Sequence, residues 1–292
     1  MIPINHPDLS KLSLEHFEAV REQLIINGTY AKVDSWFKKN GLGISTKKVI
    51  TASVPYLEKI ALSYNGITPI TDLKDMYNNR FSKSRRWIGK NKYTSAKLVE
   101  KLGIRVCPYC NRNYINNVST DKAVKRTSQL DHFFNKKDYP FLAMSFFNLI
   151  PACPACNLLK HKFDVSASPY DKRINWDDAV KFSFGITTAD FLNDEQKVYV
   201  KVRFSDELDK NFSVLKLSNQ YLMHNDLLHE LLIKGLIYSP TRLEEIKNNF
   251  SGLFQSDKDM MRVIYGNYLE KDDLGKRPLS KLTKDIVDKL YF

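Results

Sequence analysis

Long apolar runs are missing from this 292-residue chain. The richest stretch, Tyr139 to Leu149, is short and carries Ser145 and Asn148, so no segment reads as a bilayer span and no membrane partner is expected. The opening residues, MIPINHPDLSKLSLEHF, lack the apolar core and cleavage site of a secretory signal, and a cytoplasmic location is the expectation. A phosphate-binding P-loop is also missing. Gly41, Gly43 and Lys47 lack the spacing to a Gly-Lys-Ser/Thr, which excludes an NTPase site of the chain's own. There is no internal repeat and no low-complexity linker. Cysteine is scarce, with four residues, and a cytosolic setting disfavours pairing them as structural disulfides.

What is present is a globular composition, 43% hydrophobic and 27% charged, long enough for one large domain or two modest ones. Lys and Arg number 45 against 33 Asp and Glu, a net charge of +12 that favours a polyanionic partner such as nucleic acid. Most of the surplus lies between Arg80 and Arg105, where nine basic residues face the single acid Glu100. Phe81, Trp87 and Tyr93 are interleaved with them. Basic side chains neutralise phosphates and aromatic faces stack on bases. The competing reading is a solvated basic face whose aromatics point into the core.

Periodicity gives a mainly helical α+β chain. Leu14, Phe17, Val20, Leu24 and Ile25 share a helical face behind a possible cap at Ser13, and Asn27-Gly28 stops it. Val33, Trp36 and Phe37 predict a short second helix. Val49 to Leu62 predicts a third, with Pro55 as a kink or break. Lys181–Ile186 and Lys197–Phe204 alternate as strands. From Asn219 helices return, with Leu222, Leu227, Leu228, Leu231, Leu232 and Leu236 as one apolar face. Three regions follow: 1–104, helical with the basic stretch; 105–165, holding the cysteines; and 166–292, strands then helices. His6, His16, His224 and His229 stand outside any motif and read as surface or helix residues.

All four cysteines fall in matched pairs, Cys107-Pro108-Tyr109-Cys110 and Cys153-Pro154-Ala155-Cys156. Two intervening residues let both sulfurs of a tight turn face one cation, and two such turns complete a tetrahedral sulfur shell suited to zinc. Four thiolates leave no open position, so the ion would be structural. A redox role for either pair explains half of the pattern. The 42 residues between the pairs exceed a zinc-ribbon spacing, so something sizeable is inserted.

The insert carries Asp131-His132, flanked by Leu130 and Phe133 as strand anchors, with Asp131 and His132 expected on a solvent-facing edge. Adjacent strand residues point to opposite faces, so a strand end or bulge is needed for both to approach one phosphate. Phosphodiester hydrolysis requires a base for water and a cation for the phosphate. His132 suits the base and Asp131 a hard cation, magnesium or manganese. Asn157, directly after the last zinc cysteine, is a candidate second ligand, with His161 as the alternative. Asn148 is positioned to tie the hairpin and orient His132. Lys160, Lys162, Arg85 and Arg86 are candidate phosphate contacts that bind without reading sequence.

The run LDHFFNKKDYPFLAMSFFNLIPACPACNLLKHK, with CPYC upstream, resembles the HNH endonuclease family in its His-Asn-Asn variant, over about 60 of the 292 residues. The resemblance implies a zinc-stapled ββα-metal core over 105–165. It also implies catalytic His132, Asn148 and Asn157, one divalent ion on Asp131 and Asn157, and 5′-phosphate and 3′-hydroxyl products. More distantly, the preceding helices, the YPFLA…NLIP segment and GKRPLSKL near the C-terminus are similar to PtuB proteins. Those are the HNH partners of a PtuA-type ATPase in Septu and retron antiviral systems. That likeness implies a defence effector working with an ATPase supplied in trans. The alternatives are a non-catalytic zinc module that binds nucleic acid, or a module that docks the ATPase.

Overall fold

The structure, a computed structural model, describes residues 1–83, 86–89, 92–121 and 123–291. The N-terminal region is built from short helices. Helix α1 spans Leu9–Ile26 and buries Leu9, Leu12, Phe17, Val20 and Leu24. It begins one turn before the expected cap. Ser13 lies inside it, buried, with Oγ donating to the Ser10 carbonyl at 2.8 Å. Helix α2 (Tyr30–Lys39) buries Val33 and Phe37. The predicted third helix is two, α3 (Thr46–Ile50) and α4 (Val54–Ser63). Pro55 explains the break, since it sits in the first turn of α4, where its missing N–H costs nothing. Helix α5 (Asp72–Met76) runs into a π-helical turn, Tyr77–Phe81, and α6 spans Ser95–Leu102.

The basic stretch crosses these last elements. Phe81, Trp87 and Tyr93 are all buried in the core, at 0%, 6% and 4% exposure, so they pack the fold and offer no stacking faces. Lys97 and Lys101 pair with Glu100 and Glu15. His16 is another residue the structure moves inward. It is fully buried, its Nε2–H donating to the Met144 carbonyl at 2.8 Å, with Tyr93 Oη 3.3 Å from Nδ1.

Among the described residues, three separate two-stranded antiparallel pairs supply the strands: β1 (Asn117–Thr120) with β2 (Ala123–Arg126), β3 (Gln129–His132) with β4 (Leu149–Ala152), and β5 (Val180–Ile186) with β6 (Val198–Phe204). A lone hairpin is marginal in water, so each depends on what packs against it. Helix α7 (Pro154–Lys160) follows β4 directly, and α8 (Trp176–Ala179) leads into β5. The C-terminal region continues with α9 (Asp209–Leu215), α10 (Leu217–Tyr221), α11 (Asn225–Ile237), α12 (Pro240–Asn249), α13 (Asp257–Tyr265) and α14 (Ser280–Tyr291). Helices α11 and α14 pack together and against the β5–β6 hairpin. The leucine face of α11 is narrower than its periodicity suggests. Leu228, Leu231 and Leu232 are buried, whereas Leu222 and Leu236 are exposed.

The regions are laced together by backbone. Asn111, just past the first cysteine pair, adopts φ +50° and is wholly buried. Its Nδ2 donates to the Leu274 carbonyl at 2.9 Å, and its Oδ1 accepts from the Lys281 amide at 3.0 Å. The start of α14 is thereby fastened to the cysteine turn.

Candidate metal centre and hairpin site

The four cysteine sulfurs lie within 4.8 Å of one another, and all four residues are buried. The first pair lies in the turn closed by an isolated bridge between Val106 and Tyr114; the second comes from the start of α7. Such a cluster can hold a metal ion of zinc's kind, and the donor set fits it. Polar hydrogens already point at the sulfurs. The Arg112 amide donates to Cys110 Sγ at 3.4 Å, and the Cys156 amide to Cys153 Sγ at 3.4 Å. Asn113 Nδ2 donates to Cys153 Sγ at 3.4 Å and to Cys110 Sγ at 3.8 Å, spanning the two turns. Donors of this kind spread thiolate charge, a demand that a neutral thiol would not make. Burial pushes the Cys107 thiol up, while hydrogen bonds from its neighbours, Cys107 first, pull Cys153 down.

Helix α7 grows from this cluster and lies against β3. Its last residue, Lys160, is only 1% exposed. The ammonium donates to the His132 carbonyl at 2.9 Å and sits 3.2 Å from Asp131 Oδ1. The other Asp131 oxygen accepts from Tyr109 Oη at 2.7 Å. Tyr109 is one of the two residues between Cys107 and Cys110, so the cysteine turn itself delivers that hydroxyl. Burial raises the Asp131 carboxyl from its ordinary value, against the pull of Lys160 and Tyr109. Asn157 is half-buried and its Nδ2 donates to Gln129 Oε1 on the same strand. Gln129 and Asp131 share one face of β3, as a period of two requires.

His132 takes the opposite face. Its Nε2 lies 3.1 Å from the Ala143 carbonyl, which can only accept, so Nε2 carries the proton and Nδ1 the lone pair. The Tyr77 ring meets the imidazole edge to face at 4.4 Å. Burial, with a smaller push from Lys136, lowers the His132 pKa to about 3, and the ring is neutral at physiological pH. No described residue bonds Nδ1, and it is not among the fully buried polar atoms without a partner. Asn148 fixes the loop that supplies Ala143. Its Oδ1 accepts from the Phe134 amide at 2.7 Å, and its Nδ2 donates to the carbonyls of Leu142 at 2.9 Å and Phe134 at 3.2 Å. Asn148 therefore ties the hairpin and reaches His132 through the backbone.

The sequence-predicted residues are thus gathered on one hairpin and helix but not on one surface. Asp131 and His132 are 4% and 6% exposed and do not form a solvent-facing edge, because α7 covers one face and the Tyr77 turn the other. Lys160 points into the protein and offers no phosphate contact. Lys162 and His161 are exposed just beyond α7, where His161 has φ +43°. Arg86 is exposed, and Arg85 lies outside the described residues. Asp131 and Asn157 do not fit a hard divalent cation in this arrangement. Both carboxylate oxygens are engaged, and an ion would have to displace Lys160. Sequence reasoning missed Tyr109, Tyr77, Arg126 and Lys136. Only Tyr109 carried a signal, its place inside a CxxC turn. No protein-family profile, curated protein or solved structure matches the chain.

Proposed function

We propose that the chain is an endonuclease of the HNH kind, hydrolysing nucleic-acid phosphodiester bonds with His132 as general base. The supporting observation is the state of that imidazole. Its Nε2–H is pinned by Ala143, which leaves Nδ1 as the acceptor, with no partner among the described residues. A base must hold this tautomer to take a proton from water. The β3–β4 hairpin followed directly by α7, which starts at Cys153 and Cys156, supports this reading, since a ββα-metal core pairs two strands with a following helix. Structural zinc on the four cysteines clamps it. The resemblance also implies magnesium or manganese on Asp131 and Asn157. That requires Lys160 to release Asp131. Lys162 and Arg86, both exposed, are the cationic contacts that remain for the nucleic-acid backbone.

The test is cleavage of plasmid DNA and total cellular RNA by wild type and His132→Ala, with magnesium, with manganese and with neither. Cleavage by wild type and a loss of at least about 10²-fold in the variant, at unchanged zinc content, is the expected outcome. Equal cleavage by both removes His132 from the chemistry. An anti-phage role with a PtuA-type ATPase rests on the wider likeness, and co-purification of that ATPase tests it.

One observation favours a second reading. The Asp131 carboxylate is spent on Tyr109 and Lys160, which suits a frame rather than a metal ligand. In that reading the chain is a zinc-stabilised module that binds nucleic acid or docks the ATPase without cutting. Binding without cleavage in all three ionic conditions would select it.

A further inference from the structure

The His132 face of the hairpin carries positive charge that no carboxylate among the described residues neutralises. Tyr77 is the shared wall. Its ring meets His132 at 4.4 Å, and on the same ring Lys136 Nζ lies 4.4 Å from the centroid. Lys136 is half-buried and, among the described residues, hydrogen-bonds only to Asn78 Oδ1, a neutral acceptor, at 2.9 Å. Arg126, at the end of β2, lies beside the Tyr77 hydroxyl, which donates to the Leu130 carbonyl at 3.3 Å. Arg126 is half-buried, and its Nη1 is a buried atom with no hydrogen-bond partner. The charges felt by Lys136 and Arg126 include no acid: Lys74 acts on the first and Tyr77 on the second.

Polar atoms are seldom buried unpaired, because doing so forfeits a solvent hydrogen bond for nothing. Two half-buried cations with no carboxylate are the more costly case, and an anion would repay it. Arginine's planar fork matches a phosphate oxygen pair, and a lysine ammonium adds a point charge at its side. The π-helical turn that carries Tyr77 and Asn78 is a backbone irregularity of the sort that positions functional side chains. Asp131, by contrast, faces the other side of β3 and is already neutralised by Lys160.

We propose that Arg126, Lys136 and Tyr77 form a subsite for a backbone phosphate of nucleic acid, beside the His132 ring and on the face of the hairpin away from Asp131. This deepens the nuclease reading and rests on it for the role of His132. The charge that stabilises the phosphate then comes from two side chains rather than from an ion on Asp131. The same chemistry would also accept free phosphate, and the two sources are separable.

The experiment uses the full zinc-loaded chain and fluorescein-labelled 20-nucleotide single-stranded DNA and RNA, with anisotropy read across a salt series without added divalent ion. Arg126→Gln and Lys136→Gln are each expected to weaken binding about tenfold and to lower the salt slope by about one. Arg126→Lys should retain most of the binding. Zinc content and melting temperature report folding, and if Arg126→Gln does not fold, Lys136→Gln, in the loop beyond β3, decides alone. Unchanged affinity and slope in the folded Gln variants overturn the subsite, even if wild type cuts. Weakened binding in those variants upholds it, even if wild type cuts nothing and the nuclease reading falls. Competition by inorganic phosphate as effective as by oligonucleotide, at equal phosphate concentration, would overturn the assignment to a nucleic-acid backbone.

Discussion

Lys160 carries a full charge to 1% exposure, which only its pairing makes tolerable. Removing it leaves Asp131 buried with no cation beside it, held by the Tyr109 hydroxyl and the His132 backbone. Lys160→Met should lower unfolding free energy by about 3–5 kcal/mol, as breaking a buried pair does, and Asp131→Asn added to it should recover part of that loss. Urea titrations of the two single variants and the double variant check this, and additive losses would mean that the two groups are not coupled. His16 sets a pH dependence at the same scale. Burial lowers its pKa from 6.5 to about 4, so the unfolded chain binds a proton there before the folded chain does. Stability from this group is complete above pH 6.5 and is lost as pH falls toward 4, with a slope of up to about 1.4 kcal/mol per pH unit. Denaturation midpoints between pH 7.5 and 5 should flatten in His16→Gln, which still donates to Met144; an unchanged slope would assign the dependence elsewhere.

Helix α7 has seven residues, too few to persist alone in water. Its order comes from the two cysteines in its first turn and from Lys160 in its last. Cys156→Ser, or zinc removal by a chelator, should therefore release α7 from β3 and lower the melting temperature of the chain. Elemental analysis should find about one zinc per folded chain, since four thiolates complete one tetrahedral shell. A melting temperature indifferent to chelation would mean that the cysteines are a structural cluster without metal. The β3–β4 hairpin depends in the same way on Asn148. Asn148→Ala deletes three hydrogen bonds in a buried loop and should cost about 2–3 kcal/mol. It should also free Ala143, so any His132-dependent activity should fall by more than stability alone accounts for.

Across the whole molecule, the C-terminal helix is fastened to the turn of the first cysteine pair through Asn111. The Leu279 and Lys281 amides both bond to it, and its backbone is left-handed. Asn111→Gly keeps that backbone and loses the side-chain bonds, whereas Asn111→Ala loses the bonds and adds strain, by roughly 1 kcal/mol or more. Both variants should bind zinc more weakly, with Ala the less stable; full zinc affinity in both would show that α14 and the metal turn are independent. The net charge of +12 acts at this scale too. Paired cations such as Lys97, Lys101 and Lys281 contribute little to an external ligand, so the salt slope of nucleic-acid binding should be well below the count of basic residues.

Local patterns were legible without the fold. The matched CxxC spacing brought four sulfurs together, because a two-residue turn leaves a chain little choice. The alternation at Val198, Val200, Val202 and Phe204 marked β6, and Asn27-Gly28 marked the end of α1. Asn148 as a hairpin tie followed from its place before Leu149-Ile150-Pro151. Direction of side chains was not legible. Whether Asp131-His132 faced water depended on what covered the hairpin, and that is set by α7 and by the Tyr77 turn, 54 residues upstream of Asp131. The same holds for Phe81, Trp87 and Tyr93, whose spacing suits a surface stack or a core equally. The sequence alone thus determined which atoms can bind metal, because covalent spacing fixes that. Only tertiary packing decided that Lys160 neutralises Asp131 from within, and that His132 turns instead toward Tyr77 and the Ala143 carbonyl.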